Sequence, residues 1–141
     1  MRKLSYILEA WVILAWVDLR ISATGYKAWR HYFNMSGEGH QSDSNPSSDM
    51  LRAIVNSSET AARHHWRKMN CLRRCIAQQR MLLRREIPTT LHVGVKKEGG
   101  RVKAHAWLSS QQRVINDSED VTQRYQELQK ENWNEVARLI R

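Results

Sequence analysis

The sequence predicts an α+β fold, with helices in the first part of the chain and a small antiparallel sheet after them. Apolar residues recur at helical spacing through most of the chain before Pro88. After Pro88, apolar and polar residues alternate, which is typical of strands. Helices followed by a meander of strands favour packing of the helices on one face of the sheet.

The N-terminal region is predicted as helix over residues 3–33, with a break near Gly25. One face carries apolar side chains at helical spacing: Leu4, Ile7, Leu8, Trp11, Leu14, Ala15 and Ile21. Glu9 interrupts the apolar run and Asp18 closes it, so the run is too polar for a signal peptide and too short to span a bilayer. Peripheral membrane contact through its aromatic residues is the alternative interpretation. The serine-rich segment 36–48 predicts a surface loop or a linker.

Two further helices are predicted before Pro88. Ser48 or Asp49 caps the first, whose apolar positions are Met50, Leu51, Ile54, Val55, Ala61 and Ala62. The central helix runs from Cys71 to Arg85, and its buried face is predicted to consist of Leu72, Cys75, Ile76, Gln79, Leu82 and Leu83. Arginines occupy the opposite face, and Pro88 ends the helix.

Three strands are predicted after Pro88, at residues 91–95, 102–108 and 113–116. Gly99 and Gly100 supply the positive φ of a turn between the first two strands, and Gln111 and Gln112 form the next turn. The tail, residues 120–141, is predicted mostly as helix, with Tyr125 in that helix or at a strand edge.

The chain is short enough for one compact domain. Within it we distinguish an N-terminal helical region with its polar loop, residues 1–48, from a core, residues 49–141. The formal net charge of +9 predicts a surface that attracts anions such as nucleic acid, acidic peptides or anionic lipid. Because the basic residues are mostly interleaved with apolar ones, as in residues 82–85, they favour the solvated side of a helix, and we expect no nucleic-acid partner.

The two cysteines, Cys71 and Cys75, lie one helical turn apart. A disulfide between them would join neighbours in one helix, so the chain has no disulfide framework and is expected to be cytoplasmic. A structural zinc site needs a second closely spaced pair of ligands, which the sequence lacks. We therefore expect neither a metal nor another cofactor.

Cys71, His105 and Asp117 are the candidate catalytic residues. A thiol attacks as thiolate, and the helix N-terminus predicted at Cys71 favours that anion. His105, in the second strand, takes the thiol proton if its side chain points at Cys71. Asp117 orients the imidazole if the second and third strands pair antiparallel. The backbone N–H of Cys71 is the natural donor to an oxyanion, whereas Gln78 and Gln79 lie too far along the helix.

Each of these residues also has a structural interpretation. A cysteine at a helix start is more often a small buried hydrophobe, and a histidine in a strand is more often a packed residue. The order, spacing and element type of all three residues together favour catalysis. Cys75 is predicted as a core thiol, and His92 as structural because no acidic residue lies near it in the sequence. Asn116 is the weaker candidate for orienting His105, since it points to the opposite face from Asp117.

Four stretches between about Trp66 and Asp117 carry a family resemblance. They are Cys71-Leu72-Arg73-Arg74, Ile87-Pro88, Leu91-His92-Val93-Gly94-Val95 and Ala104-His105-Ala106-Trp107. Their combination at this spacing is similar to the leader peptidases of lasso-peptide biosynthesis, which belong to the transglutaminase-like cysteine protease superfamily. The sequence departs from the family pattern at Glu86, where a glycine commonly precedes Ile-Pro. If this turn needs a positive φ, Glu86 carries a local strain of about 1 kcal/mol.

The resemblance implies a papain-like or transglutaminase-like core, in which the helix that bears Cys71 packs on the small antiparallel sheet. It implies Cys71 as nucleophile, His105 as general base and then acid, and Asp117 as the orienting carboxylate. The implied substrate is the leader of a ribosomally made precursor peptide. The implied partners are a separate leader-recognition protein and the ATP-dependent cyclase that closes the macrolactam ring. Two alternatives stay open: a non-catalytic basic binding module, and an amide- or acyl-transferring enzyme of the same superfamily.

Overall fold

The computed structural model describes residues 1–24, 47–129 and 132. The helices are α1 (Arg2–Thr24), α2 (Ser48–Arg63), α3 (Cys71–Leu83) and the short α4 (Val121–Arg124). The strands are β1 (Thr90–Glu98), β2 (Arg101–Ser110), β3 (Arg113–Val114) and β4 (Gln126–Glu127). All three strand pairings are antiparallel, and the order across the sheet is β3-β2-β1-β4. The predicted α+β class is therefore confirmed.

The helices begin close to where the sequence predicts. Ser47, one residue before the predicted cap, accepts a hydrogen bond at Oγ from the Met50 N–H (3.2 Å) and starts α2. The first helix is predicted over residues 3–33. Its predicted part beyond residue 24, and the polar segment up to residue 46, lie outside the described residues. None of the described helices combines the length and apolarity that crossing a bilayer requires.

Two tight hairpins arrange the strands. Gly99 and Gly100 have φ of 58° and 76° and join β1 to β2, as their sequence predicts. Gln111 and Gln112 also have positive φ, 49° and 65°, and join β2 to β3. The β3 strand is only two residues long, shorter than the predicted residues 113–116.

The prediction of a mostly helical tail is wrong for its described part. The α4 helix lasts one turn because Tyr125 is extended (φ −120°, ψ 134°), and β4 then pairs with β1. Leu128 continues this contact, since its N–H donates to the Val93 carbonyl (2.9 Å). Tertiary pairing with β1 thus prevails over the local helical preference of the segment.

One apolar core joins the helices to the inner face of the sheet. The α3 helix packs against β2 and β1 on one side and against α1 and α2 on the other. Its buried core positions are Leu72, Cys75, Ile76, Ala77, Met81 and Leu82. The sheet contributes Leu91, Val93, Ala106 and Leu108, and α1 contributes Ala10, Ile13, Leu14 and Val17. The α1 helix thus packs on elements of the predicted core region, and the division of the chain at residue 48 stays a prediction.

Ion pairs fix the ends of α3 against α1. Asp18, only 5% exposed, forms ion pairs with Arg73 (2.9 Å) at the start of α3 and with Arg67 (3.0 Å) just before it. At the other end, Arg85 contacts both carboxylate oxygens of Glu9 (3.1 and 2.6 Å). These contacts hold in place the helix that carries Cys71.

Glu86 adopts the left-handed conformation that the sequence suggested, with φ of 57°. Its N–H donates to the Leu83 carbonyl (3.0 Å), and the Ile87 N–H donates to the Leu82 carbonyl (3.1 Å). This pair of bonds is the Schellman pattern that ends many helices, in which glycine normally takes the left-handed position.

Replacing Glu86 with glycine is therefore expected to raise the free energy of unfolding by about 0.5–1 kcal/mol, because glycine adopts this φ without strain. Thermal unfolding followed by circular dichroism measures the change. Gly99→Ala is the opposite control: its φ is 58° and no atom lies within 4 Å of an added Cβ, so it should lose stability through strain alone. A less stable Glu86→Gly variant would mean that the Glu86 side chain itself contributes to the fold.

Candidate active site

Cys71 is the first residue of α3. Asn70 caps this helix, because its Oδ1 accepts a hydrogen bond from the Arg73 N–H (2.9 Å) and its backbone is extended. Cys71 therefore lies at the positive dipole end of the helix. The sequence thus places a thiol where its anion is favoured.

His105 and Asp117 come from the sheet side of the molecule. His105 lies in the middle of β2. The chain then turns at residues 111–112 and forms β3, and Asp117 comes three residues after β3 ends. The Nε2 atom of His105 lies 2.5 Å from Oδ2 of Asp117. The other carboxylate oxygen accepts from the Ser118 N–H (2.7 Å), which fixes the carboxylate. Since Asp117 occupies Nε2, Nδ1 is the ring nitrogen left for the thiol.

The pKa of Cys71 and that of Asp117 are lowered, and the pKa of His105 is raised, as expected when an imidazolium lies between two anions. Burial opposes ionisation of Cys71, but hydrogen bonds from His105 and from the Ala106 backbone outweigh it, and the pKa of Cys71 lies below its ordinary 9.0. The hydrogen bond to Cys71 raises the pKa of His105 above 6.5 despite desolvation, and Asp117 adds to the rise. Burial works against the Asp117 anion, yet bonds from His105 and Ser118 lower its pKa. The arrangement favours a thiolate beside an imidazolium.

A cavity of about 150 Å³ opens at this point of the surface. Cys71, His105 and Asp117 all line it. The other lining residues are Glu59, Arg74, Cys75, Ala106 and Asn116. The structure therefore brings the three candidate residues, which are up to 46 positions apart in sequence, to one small polar cleft.

Several residues that line the cleft form a polar network that the sequence did not predict. Glu59, from α2, accepts from Arg74 (2.7 Å) and from Gln78 Nε2 (2.9 Å). Asn116 Nδ2 donates to Gln78 Oε1 (2.8 Å) and to Cys75 Sγ (3.2 Å), and its Oδ1 accepts from the Leu108 N–H (2.8 Å). Only the packing of α2 on α3 brings Glu59 here, and no sequence motif marks it.

The hydrogen bonds of this network bear on two predictions, the role of Asn116 beside His105 and the availability of Gln78 as an oxyanion donor. Asn116 lines the cleft, but its hydrogen bonds go to Cys75, Gln78 and Leu108, and Asp117 contacts the imidazole. The Gln78 amide is fully buried and already bonded on both sides, so it is not free to hold an oxyanion. The backbone N–H of Cys71 remains the natural donor.

The other cysteine and histidine of interest have different surroundings. Cys75 is buried, as predicted, and its thiol donates to the Ala106 carbonyl (3.3 Å). Burial raises the pKa of Cys75, so it stays protonated. His92 has an acidic partner after all: its Nδ1 lies 2.5 Å from Glu127 Oε1, a residue 35 positions away. Among the residues that the structure describes, no cluster of three or more His, Cys, Asp or Glu side chains is arranged to hold a metal ion.

A thiol at a helix N-terminus, next to an imidazole that contacts a carboxylate, is the arrangement of enzymes that form acyl-thioester intermediates. The family model of the transglutaminase-like superfamily matches residues 13–130. The chain therefore belongs to the transglutaminase-like superfamily, which includes cysteine proteases and transferases. Searches of curated proteins and of solved structures found no significant match.

Proposed function

We propose that the protein is a cysteine endopeptidase that removes the leader from a ribosomally made precursor peptide during lasso-peptide maturation. The observation that carries the peptidase part is the cleft in which Cys71 faces His105, whose Nε2 contacts Asp117 at 2.5 Å. The superfamily match supports thiol-dependent acyl chemistry. The substrate class rests on the similarity of the Cys71 helix start and the Ala104–Trp107 stretch to leader peptidases.

In the proposed mechanism, Nδ1 of His105 holds the proton of the Cys71 thiol, and the thiolate attacks the scissile carbonyl. The developing oxyanion accepts from the Cys71 N–H. The C–N bond then breaks, the imidazolium gives its proton to the departing amine, and the acyl group stays on sulfur as a thioester. Water, deprotonated by the neutral imidazole, hydrolyses the thioester. Asp117 keeps the ring oriented and stabilises the imidazolium in both steps.

The proposed partners follow from the substrate. A separate leader-recognition protein delivers the precursor, and an ATP-dependent cyclase uses the amine that cleavage exposes. Both would meet the protein in the cytoplasm, where precursor peptides are made. Incubation with the precursor and the recognition protein tests this directly: the two product masses should sum to the precursor mass plus one water. No cleavage of any precursor encoded beside this reading frame would contradict the proposed substrate class.

The superfamily match also supports a second candidate, an acyl transferase in which an amine replaces water in the last step. The same precursor experiment separates the two activities. Hydrolysis yields the acyl fragment as a free acid. Transfer yields the same fragment as an amide, whose mass is that of the acid plus the amine minus one water. Added primary amines at millimolar concentration should therefore change the product of a transferase but not that of a peptidase.

The pH dependence of alkylation tests the thiol chemistry without any substrate. Iodoacetamide reacts with thiolate, and the pKa of Cys71 is lowered while that of Cys75 is raised. We expect Cys71 to be carboxamidomethylated at pH values well below 9, where an ordinary thiol is still protonated, and Cys75 to stay unmodified. Cleavage should rise as Cys71 ionises and fall again at higher pH, where His105 loses its proton, because the pKa of His105 is raised above its ordinary value. Mass spectrometry of tryptic peptides measures both cysteines in one sample, and equal rates at the two sites would rule out an activated Cys71.

A further inference from the structure

Tyr125 lies against the candidate base. Its ring centroid is 5.1 Å from that of His105, with an interplanar angle of 32°. Trp107 is also near, 6.5 Å from Tyr125 and 6.3 Å from His105 between centroids. A cation within about 6 Å of an aromatic ring centroid is attracted to the π system, and more so away from water. Tyr125 is thus placed to favour the imidazolium form of His105 over the neutral ring.

Gly94 makes room for this contact. A Cβ added at Gly94 would come within 2.9 Å of the Tyr125 Cβ and of two ring atoms of Trp107. Contacts this short are not tolerated between real side chains. The absence of a side chain at Gly94 therefore lets the Trp107 ring and the Tyr125 Cβ approach β1 closely, opposite His105.

A strap, residues 125–128, holds Tyr125 in this position. Glu127 is paired with Gly94 across β4 and β1, and the Leu128 N–H donates to the Val93 carbonyl (2.9 Å). The Glu127 carboxylate contacts His92 Nδ1 (2.5 Å), and His92 Nε2 contacts Ser109 Oγ (2.7 Å). A carboxylate only accepts hydrogen bonds, so Nδ1 of His92 carries a proton. The strap is therefore tied to both central strands of the sheet.

We infer that Tyr125 is a positioning residue for His105, held over the imidazole by the strap and its His92–Glu127 contact. The inference rests on the proposed function, since it assigns Tyr125 a part in forming the Cys71–His105 pair. Restricting the ring keeps Nδ1 directed at the sulfur, and the π face stabilises the imidazolium that accompanies the thiolate. Several charged or titratable groups face His105 or the Tyr125 ring: Cys71 and Arg74 from α3, Asp117, Arg124 from α4, and Lys96 from β1.

The test is the pH profile of Cys71 alkylation by iodoacetamide in the full chain, measured together with the melting temperature. Tyr125→Leu removes the π face but keeps an apolar side chain, and we expect alkylation at pH 6.5 to slow about 3- to 10-fold, with the rising limb moved to higher pH. Tyr125→Phe should restore the wild-type profile. Glu127→Gln and His92→Ala should move the profile in the same direction by a smaller amount, because they loosen the strap.

Tyr6→Ala is the matched control, since Tyr6 is a half-buried aromatic residue of α1 that packs on the core and contacts Arg85. It should lower the melting temperature and leave the alkylation profile unchanged. A Tyr125→Leu variant with a wild-type profile overturns the inference, whatever its melting temperature. If that variant does not fold, an unchanged profile in both strap variants overturns it instead. A wild-type Cys71 that reacts like an ordinary thiol would overturn the proposed function itself, which is a separate result.

Discussion

Replacing Cys71 with alanine is expected to abolish cleavage of the precursor, with kcat/KM reduced by about 10⁴-fold or more. In the proposed mechanism the sulfur forms the covalent bond to the acyl carbon, and the other thiol that lines the cleft, Cys75, is buried and stays protonated. Cys75→Ala is the matched control, because Cys75 lies one turn along the same helix but is buried and protonated.

The Cys75→Ala variant should cleave at nearly the wild-type rate. It is expected to lose about 1 kcal/mol of stability, since its thiol donates to the Ala106 carbonyl and accepts from Asn116. Cleavage assays at a temperature well below the melting point separate the two effects. Equal losses of kcat/KM in the two variants would contradict the assignment of Cys71 as nucleophile.

Replacing His105 with alanine should have the second largest effect, a loss of about 10³-fold or more in kcat/KM. The variant lacks both the base that accepts the thiol proton and the acid that protonates the departing amine. Its Cys71 should also need a higher pH for alkylation, because the hydrogen bond that lowers the thiol pKa is gone. Asp117→Ala should keep the fold and lower kcat/KM by about 10²-fold, since Asp117 orients the ring and stabilises the imidazolium but does not itself transfer the proton.

His64 provides the control for both changes, because it lies at the exposed end of α2, away from the cleft. His64→Ala is expected to cleave normally. Circular dichroism of each variant verifies that the fold is retained. A His105→Ala protein that cleaves at a tenth of the wild-type rate or faster would mean that another group serves as the base.

The elements that the sequence predicted well are those whose local pattern and tertiary role agree. The α3 helix starts at Cys71 because Asn70 caps it, and the Gly99–Gly100 hairpin follows from backbone freedom. The β4 strand was missed because two residues carry no periodicity, and only pairing with Gly94 makes them a strand. Strands and helix ends that depend on such long-range contacts cannot be predicted from the local sequence pattern.

Some residues of the candidate site were likewise predictable from the sequence, and others were not. The sequence pointed to Cys71, His105 and Asp117 as candidates through their positions: Cys71 starts a helix, His105 lies in the middle of a strand, and Asp117 follows the third strand. Glu59 and Tyr125 were not identifiable as neighbours of the site, because their proximity depends on how α2 and the strap pack. The role of Asn116 depended on side-chain direction just after β3 ends, where strand alternation no longer applies.

Several of the basic side chains near α3 are paired within the protein. Three arginines of the central region are bound to carboxylates: Arg73 to Asp18, Arg74 to Glu59 and Arg85 to Glu9. Arg80 lies over the Trp16 ring, with 4.3 Å between Cζ and the centroid. Much of the positive charge near α3 therefore fixes helices to one another.

The proposed nucleophile and the proposed base belong to opposite layers of the molecule, the sulfur to the helices and the imidazole to the sheet. A displacement of about 1 Å between such groups typically costs about 10²-fold in rate, although neither layer has unfolded. The packing of α3 on β2 therefore sets the distance between the sulfur and the imidazole, and substitutions at that contact should lower the rate without unfolding either layer.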